Sequence, residues 1–458
     1  MADQQTVLNL LDKLGRERSL ECSLEPLKEL FWTELNYQRV NKPLSRRRWK
    51  SEAAKNALAE DPILWAGHGD FAVIYSRLAS NRVLLGQERP VISSLLREHP
   101  YALFLFSDKS RSQWHFVNVR YFAEGEAEKR RLFRRITVGP DERLRTASKR
   151  ISMLDLASIS PDVSGIDPLT IQDRHDDAFD VEKVTEEFFK KYDGVFKAVW
   201  DDLTSQTRNR RWAHDYALQF LNRVMFLYFI QRKRWLGDNP EFVRDFWNAY
   251  RTSGQPRDSF FDRWLSILFF EAFNRRPVGR HKHFPEEIRD ALASAPFLNG
   301  GLFRKNRLDT DEVFEINDTQ FKQALGLFEQ YNFTIAEDTP LDQEVAVDPE
   351  MIGKVYESLV NVSEEAQERG EAGIFYTPRT EIALMCRLSL VDYLANHLGH
   401  QRKNLLYEWV FALDPDEKKK ADGQVGKQNL WPELDGFLTS IKVLDPACGS
   451  GSFLVGML

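Results

Sequence analysis

Cysteine is scarce: Cys22, Cys386 and Cys448 are the only three in 458 residues. They lie too far apart for a disulfide framework, and no Cys-x-x-Cys or paired Cys/His spacing offers a zinc site, so no metal centre is expected. A reducing cytoplasm is the expected setting. Long apolar runs are missing as well. No segment approaches the ~20 apolar residues of a membrane helix, and the opening "MADQQTVLNLLDKLGRERSLE" has no apolar export core, so no membrane partner is expected. Positive charge is in deficit, with 63 Lys and Arg against 69 Asp and Glu and a formal net charge of −6, which argues against coating nucleic acid through bulk charge. Low-complexity tracts and internal repeats are absent. Hydrophobic residues at 42%, aromatics at 12% and charged residues at 29% describe a globular protein. The length leaves room for two or three domains at about 150 residues each.

The basic residues that are present are segregated. From Lys129 to Arg150 the chain carries nine Lys or Arg against the two acids Asp141 and Glu142. Further clusters are "TRNRRW", "QRKRW" and "NRRPVGRHKHF", while acids collect in "DRHDDAFDVEKVTEE" and "VSEEAQERGEAG". Two readings fit: solvated helix faces, or one face that meets an anionic polymer.

Residues 1–155 read as a mixed α/β domain. "FAVIYSRL", "YALFLFSD" and "WHFVNVRY" are β-rich runs, the last two joined by "KSRSQ", a connection of hairpin length. Residues 156–361 read as a helical connector. "VEKVTEEFFKKYDGVFKAVWDDL" has apolar residues at helical spacing, and "HDYALQFLNRVMFLYFIQRKRWLG" is an apolar helix suited to the inside of a bundle. "SAPFLNGGLF" predicts a turn at Gly300 and Gly301, and "DPEMIGKVYESLV" another helix, followed by an acidic linker over 362–373. In "GIFYTPRTEIALMCRLSLVDYLANHL", Thr377 is an N-cap candidate and Pro378 suits a first helical turn. Ile382, Met385, Cys386, Leu388 and Leu390 supply an apolar face. "DPDEKKKADGQVGKQN" reads as an exposed loop.

The closing stretch "IKVLDPACGSGSFLVGML" predicts a strand that delivers Asp445 to the ligand-binding edge of an open sheet, then a turn on Gly449 and Gly451, then a helix. Such a helix N-terminus presents free N–H groups to a carboxylate or phosphate. No lysine follows Gly451, as a nucleoside-triphosphate loop requires, and Leu454 stands where a dinucleotide fingerprint wants a third small residue. Cys448 reads as a small turn residue rather than a nucleophile. By spacing alone the two glycines are a weak signal, and an ordinary strand-to-helix turn is the better explanation of them.

The longer phrases are more specific. "DPACGSGSF" resembles the first S-adenosylmethionine motif of the N6-adenine and N4-cytosine DNA methyltransferases, and "GIFYTPRTEIALM" resembles the motif that precedes it in that group. "FLNGGLF", "DPEMIGKVYESLV", "YALFLFSDKSRSQWHFVNVRY" and "LFRRITVGPDERLRTASKR" resemble segments of the large adenine-specific methylases of type IIG restriction-modification and phage-exclusion systems. The resemblance implies an α/β multidomain protein in which 373–458 open a Rossmann-like, S-adenosyl-L-methionine-dependent methyltransferase domain. It implies that Phe375, Tyr376, Thr377 and Pro378 border the methionine end of the cofactor, with the Thr377 hydroxyl at its carboxylate. Asp445, Ala447, Cys448, Gly449 and Gly451 would line the same moiety. Core packing is the alternative role for Phe375 and Tyr376.

The implied reaction is methylation of a flipped adenine in double-stranded DNA, alongside other restriction or defence-system subunits. The group's Asn/Asp-Pro-Pro-Tyr/Phe motif occurs nowhere in the sequence, and its ribose-binding acid would fall beyond Leu458. A longer parent protein, with this chain an inactive fragment of it, is therefore expected. The alternatives are a non-catalytic DNA-binding or assembly subunit derived from such an enzyme, or methylation of RNA or a protein glutamine. Type IIG enzymes also carry an N-terminal nuclease whose Mg²⁺ site needs an acid and an Asp/Glu-x-Lys on adjacent strands. Asp70 or Asp108 could supply the first, but Asn118-Val119-Arg120 stands in place of the second. Asn is a poorer Mg²⁺ ligand than a carboxylate and Arg does not titrate. A decayed nuclease or a DNA-contacting module using residues 129–150 is the expected role of this region.

Overall fold

Apolar side chains fill nearly every position of Phe71–Arg77 and Ala102–Ser107, the mark of strands covered on both faces. They form the middle of a seven-stranded mixed sheet in a computed structural model. The structure describes residues 2–457 except 17–23, 125–127, 161–164, 277, 280, 299–300, 335–341, 348–376, 378, 413–414, 447 and 449–450. The predicted helix over 348–360, the linker over 362–373 and Gly300 lie outside the described residues.

The strands are β1 (Gln38–Pro43), β2 (Ile63–His68), β3 (Phe71–Arg77), β4 (Ala102–Ser107), β5 (Trp114–Glu124), β6 (Glu128–Val138) and β7 (Asp342–Glu344), in that spatial order. Neighbours run antiparallel except the parallel pairs β3/β4 and β6/β7. As expected, β4 and β5 form a hairpin, with Ser107 opposite Trp114. The first part of the basic run lies on a strand, and Arg134 and Arg135 of β6 are buried, which corrects the solvated-helix reading there; Arg145 and Lys149 are exposed on the helix that follows. One row of the sheet runs Val73, Leu103, Asn118, Arg134, Gln343 and turns polar over β5 to β7.

Helices flank this sheet in the sequence. The first are α1 (Gln4–Arg16), α2 (Leu85–Leu95), α3 (Leu144–Ser152), α4 (Pro168–Ala178) and α5 (Val181–Thr207). They are followed by α6 (Arg210–Arg232), α7 (Phe242–Thr252) and α8 (Asp318–Phe328). Local chemistry sets their starts. Asp167 caps α4 by accepting from the Leu169 N–H at 2.8 Å, Asp180 caps α5 through Glu182 at 2.9 Å, and Asn209 caps α6 through Trp212 at 3.1 Å. In α5 the stripe Val184, Phe188, Tyr192, Phe196, Val199, Leu203 is buried at steps of three and four residues. Helix α6 is buried on nearly all sides, as predicted. Its Arg223 is tolerated there because Asp309 pairs with it at 2.6 and 2.9 Å and the Leu302 carbonyl accepts at 2.6 Å. Gly301 opens a short 3₁₀ turn without a left-handed φ.

By contacts the chain divides into two compact units, residues 1–83 with 94–359 and residues 84–93 with 360–458. The described part of the second unit after residue 376 is helical: α9 (Arg379–Leu398), α10 (Lys403–Phe411), α11 (Pro415–Lys427), α12 (Trp431–Ser440) and α13 (Ser452–Met457). Val391, Leu394, Leu398, Leu406, Val425, Leu430 and Leu434 form its core. Two expectations are corrected here. The stretch read as an exposed loop folds as α11, because Ala421 and Val425 one turn apart bury against the core and Trp409 donates to Asp422 at 2.9 Å. The segment 441–445, read as a strand, pairs with no other strand among the described residues, so it has no ladder to join.

Candidate functional site

The glycine turn forms where the sequence puts it. Gly451 adopts φ +83°, a conformation that costs any residue with a Cβ, and its N–H donates to the Cys448 carbonyl at 2.7 Å. Its own carbonyl accepts from Val455 at 2.9 Å and so starts α13. Cys448 is exposed in this turn and Asp445 is half-buried just ahead of it. Thr377 is half-buried before the start of α9. Phe375, Tyr376, Pro378, Ala447 and Gly449 lie outside the described residues.

The helices that follow the two motifs are brought together. A Cβ on Gly456 of α13 would meet Ile382 Cγ2 at 2.9 Å and Cys386 Sγ at 3.2 Å on α9, and the Cys386 thiol donates to the Phe453 carbonyl at 3.6 Å. The contact therefore depends on a glycine that the sequence reading did not single out. Of the apolar face expected on α9, Ile382 and Cys386 are buried but Met385 and Leu388 are exposed. The covered stripe shifts around the helix after its first turns.

The nuclease candidates do not converge. Asp108 is consumed in the β4–β5 turn, where its Oδ1 accepts from the N–H groups of Ser112 at 2.7 Å and Gln113 at 3.0 Å. Leu103 faces Asn118 across the hairpin, so Asp108 lies five residues along, about 17 Å at 3.4 Å per residue. Asp70 is exposed in the β2–β3 turn, three rows and two strands from Asn118. Asn118 is held instead by α4: it donates to Asp176 at 2.6 Å and accepts from Gln172 at 2.9 Å. On the next strand Arg134 donates to Gln343 at 3.2 Å and lies 3.8 Å from Asp180. Sequence reading missed Asp176 and Asp180, which become partners of the polar row only through the fold.

Much of the clustered positive charge is paired internally. Arg232 pairs with Glu142 and Arg234 with Asp141, while Arg143 and Arg244 converge on Glu329 at 2.7 and 2.8 Å. Burial of Glu329 works against its charge, but the hydrogen bonds and positive charges of the two arginines prevail and hold its pKa below the ordinary value.

Among known proteins, the chain is similar to a Methanocaldococcus jannaschii protein named as a candidate type II restriction enzyme and methyltransferase. The two are 28% identical over 294 residues, which cover 62% of this chain and 24% of that protein. The chain thus spans about a quarter of the length of the relative it matches. No protein-family signature matches the chain, and no solved structure resembles it significantly.

Proposed function

We propose that this chain belongs to a site-specific DNA methyltransferase of a restriction-modification or phage-defence system, acting on N6 of a flipped adenine with S-adenosyl-L-methionine. The observation that carries the reading is the pair of phrases "GIFYTPRTEIALM" and "DPACGSGSF", each leading into a helix, with the two helices in contact through Gly456, Ile382 and Cys386. Similarity to the M. jannaschii protein supports the restriction-modification context. On this reading residues 373–458 open a Rossmann-like domain, 156–361 connect it to the N-terminal mixed α/β domain, and 1–155 contribute contacts to double-stranded DNA. The protein works in the cytoplasm.

The cofactor, when bound, supplies an electrophilic methyl group. The chain's task is to hold the amino-acid end: Phe375, Tyr376, Thr377 and Pro378 border it, the Thr377 hydroxyl donates to its carboxylate, and Asp445 accepts from its ammonium group. The Ala447–Gly451 backbone lies along the same end, and Gly451 keeps the turn clear of a side chain. No Asn-Pro-Pro-Tyr or Asp-Pro-Pro-Tyr segment exists in this sequence to grip the target base. Methyl transfer by these residues alone is therefore not expected.

The test is to express the whole reading frame in a host without adenine methylation and to map modified bases by single-molecule sequencing. N6-methyladenine at one recurring sequence, lost in Asp445→Ala, is the expected result. Modified cytosine would move the target atom. An unmodified genome, from a protein that still photo-crosslinks S-adenosylmethionine, would favour a non-catalytic DNA-binding or assembly subunit.

A further inference from the structure

The basic run keeps part of its charge unspent. On β6 its Arg134 and Arg135 are buried and its Arg143 is committed to Glu329; the α3 residues Arg145, Lys149 and Arg150 have another setting. These line a cleft of about 190 Å³ together with Lys191 and Glu187 of α5 and Tyr331 in the turn after α8. Four cations there face one carboxylate. Glu187 is already engaged, by Lys149 Nζ at 2.7 Å on both oxygens and by Lys191 Nζ at 3.2 Å.

Two largely buried polar side chains in the cleft make no side-chain hydrogen bond among the described residues. Arg150 is 5% exposed; the carboxylates of Glu187, Asp180 and Asp177 favour its charge, but among the described residues no side-chain hydrogen bond or ion pair joins them to its guanidinium. Tyr331 is 3% exposed, and its hydroxyl has no hydrogen-bond partner among the described residues. Lys191 Nζ sits over the Tyr331 ring at 5.3 Å, which keeps a further positive charge beside that hydroxyl. Burying a guanidinium or a hydroxyl unpaired is unfavourable, and such groups persist where a ligand completes them. The missing ligand must be an acceptor, because guanidinium and ammonium groups donate only and the phenol hydroxyl stands ready to donate. More than one negative charge suits a lining of four cations and one carboxylate, with Asp177 and Asp180 as further acids that act on Arg150. A planar carboxylate satisfies a single fork. A tetrahedral oxyanion offers oxygens to a fork, a hydroxyl and surrounding ammonium groups at once.

We propose that this cleft is a binding site for a phosphate group, with the Arg150 guanidinium and the Tyr331 hydroxyl as its direct donors and Arg145, Lys149 and Lys191 supplying the surrounding positive potential. Identifying the phosphate as one of the DNA backbone rests on the DNA-directed reading above; the anion site itself does not. A free phosphate or a phosphorylated small molecule presents the same chemistry.

The experiment uses the 458-residue chain as wild type, Arg150→Met and Tyr331→Phe. It measures thermal melting, duplex affinity across a salt series, and titration with inorganic phosphate followed by ³¹P line broadening. Arg150→Met should weaken duplex binding about tenfold for every sequence and lower the slope of log K against log salt by about 1. Tyr331→Phe, which removes one oxygen and no charge, should weaken binding about threefold without changing the slope. Both should lose phosphate binding. The melting temperatures check that each variant is folded. Loss of phosphate binding with unchanged duplex affinity would keep the anion site and overturn the DNA backbone as its source. A wild type that binds phosphate but no duplex would count against the DNA-directed reading and leave the site standing. Folded variants with phosphate and duplex binding both unchanged would overturn the proposal, and Tyr331→Phe alone decides this if Arg150→Met does not fold.

Discussion

His175 on α4 is fully buried, with Nε2 2.8 Å from the Tyr37 hydroxyl, the Phe71 ring at 4.7 Å, and no hydrogen-bond partner for Nδ1 among the described residues. Burial lowers its pKa from 6.5 to about 3. Between those values the unfolded chain binds the proton and the folded one does not, so stability rises with pH across the window. It is complete above about 6.5 and is lost as pH falls toward 3. Going from about pH 7 to about pH 5 should remove about 2 kcal/mol through this residue. His175→Gln keeps a polar partner for Tyr37 and removes the titration. Denaturant unfolding of the variant at the two pH values should show a correspondingly smaller loss than wild type. Equal losses would mean that His175 takes up its proton in the folded state. None of this is visible in "IQDRHDDAFD", where the histidine sits among acids and suggests a raised pKa; only the fold turns it inward.

At the scale of elements, the α9–α13 contact is held by the absence of a side chain. Gly456→Val would push methyl groups against Ile382 Cγ2, where a Cβ alone already stands at 2.9 Å. Overpacking of this kind costs about 1–3 kcal/mol, so amides of α13 should exchange with solvent about tenfold faster or more. Unchanged protection in hydrogen-exchange mass spectrometry would show that α13 does not rely on α9. The same elements show what a sequence can carry. Strands β3, β4 and β5, their hairpin, and helices α5 and α6 were legible because their period and turn chemistry are local. Helix α11 was not, since Ala421 and Val425 are sparse among lysines and glycines. The segment 441–445 has the composition of a strand, but a strand also needs neighbours. In the candidate site, Gly451 was legible because its φ demands glycine. Arg150 and Tyr331 meet across 180 positions of sequence, and no local pattern brings them together.

For the molecule as a whole, part of the clustered positive charge is paired within the fold, and a second feature of the surface is apolar. Leu384, Leu388, Val391, Ala395 and Leu398 follow one another along α9 at steps of four and three residues, a single stripe. The last three are buried in the core of the second unit, whereas Leu384 is 47% and Leu388 41% exposed. Leu444 in the same unit is 88% exposed. Large exposed apolar side chains gathered on one unit mark a surface that associates or aggregates. Glutamate retains good helix propensity, so Leu384→Glu with Leu388→Glu should leave the melting temperature within about 2 °C while raising the monomer fraction and lowering binding of a hydrophobic dye. A fall of more than about 4 °C would correspond to about 1 kcal/mol or more of lost packing. That result would place these leucines under cover in solution, and the stripe would then be part of the core along its whole length.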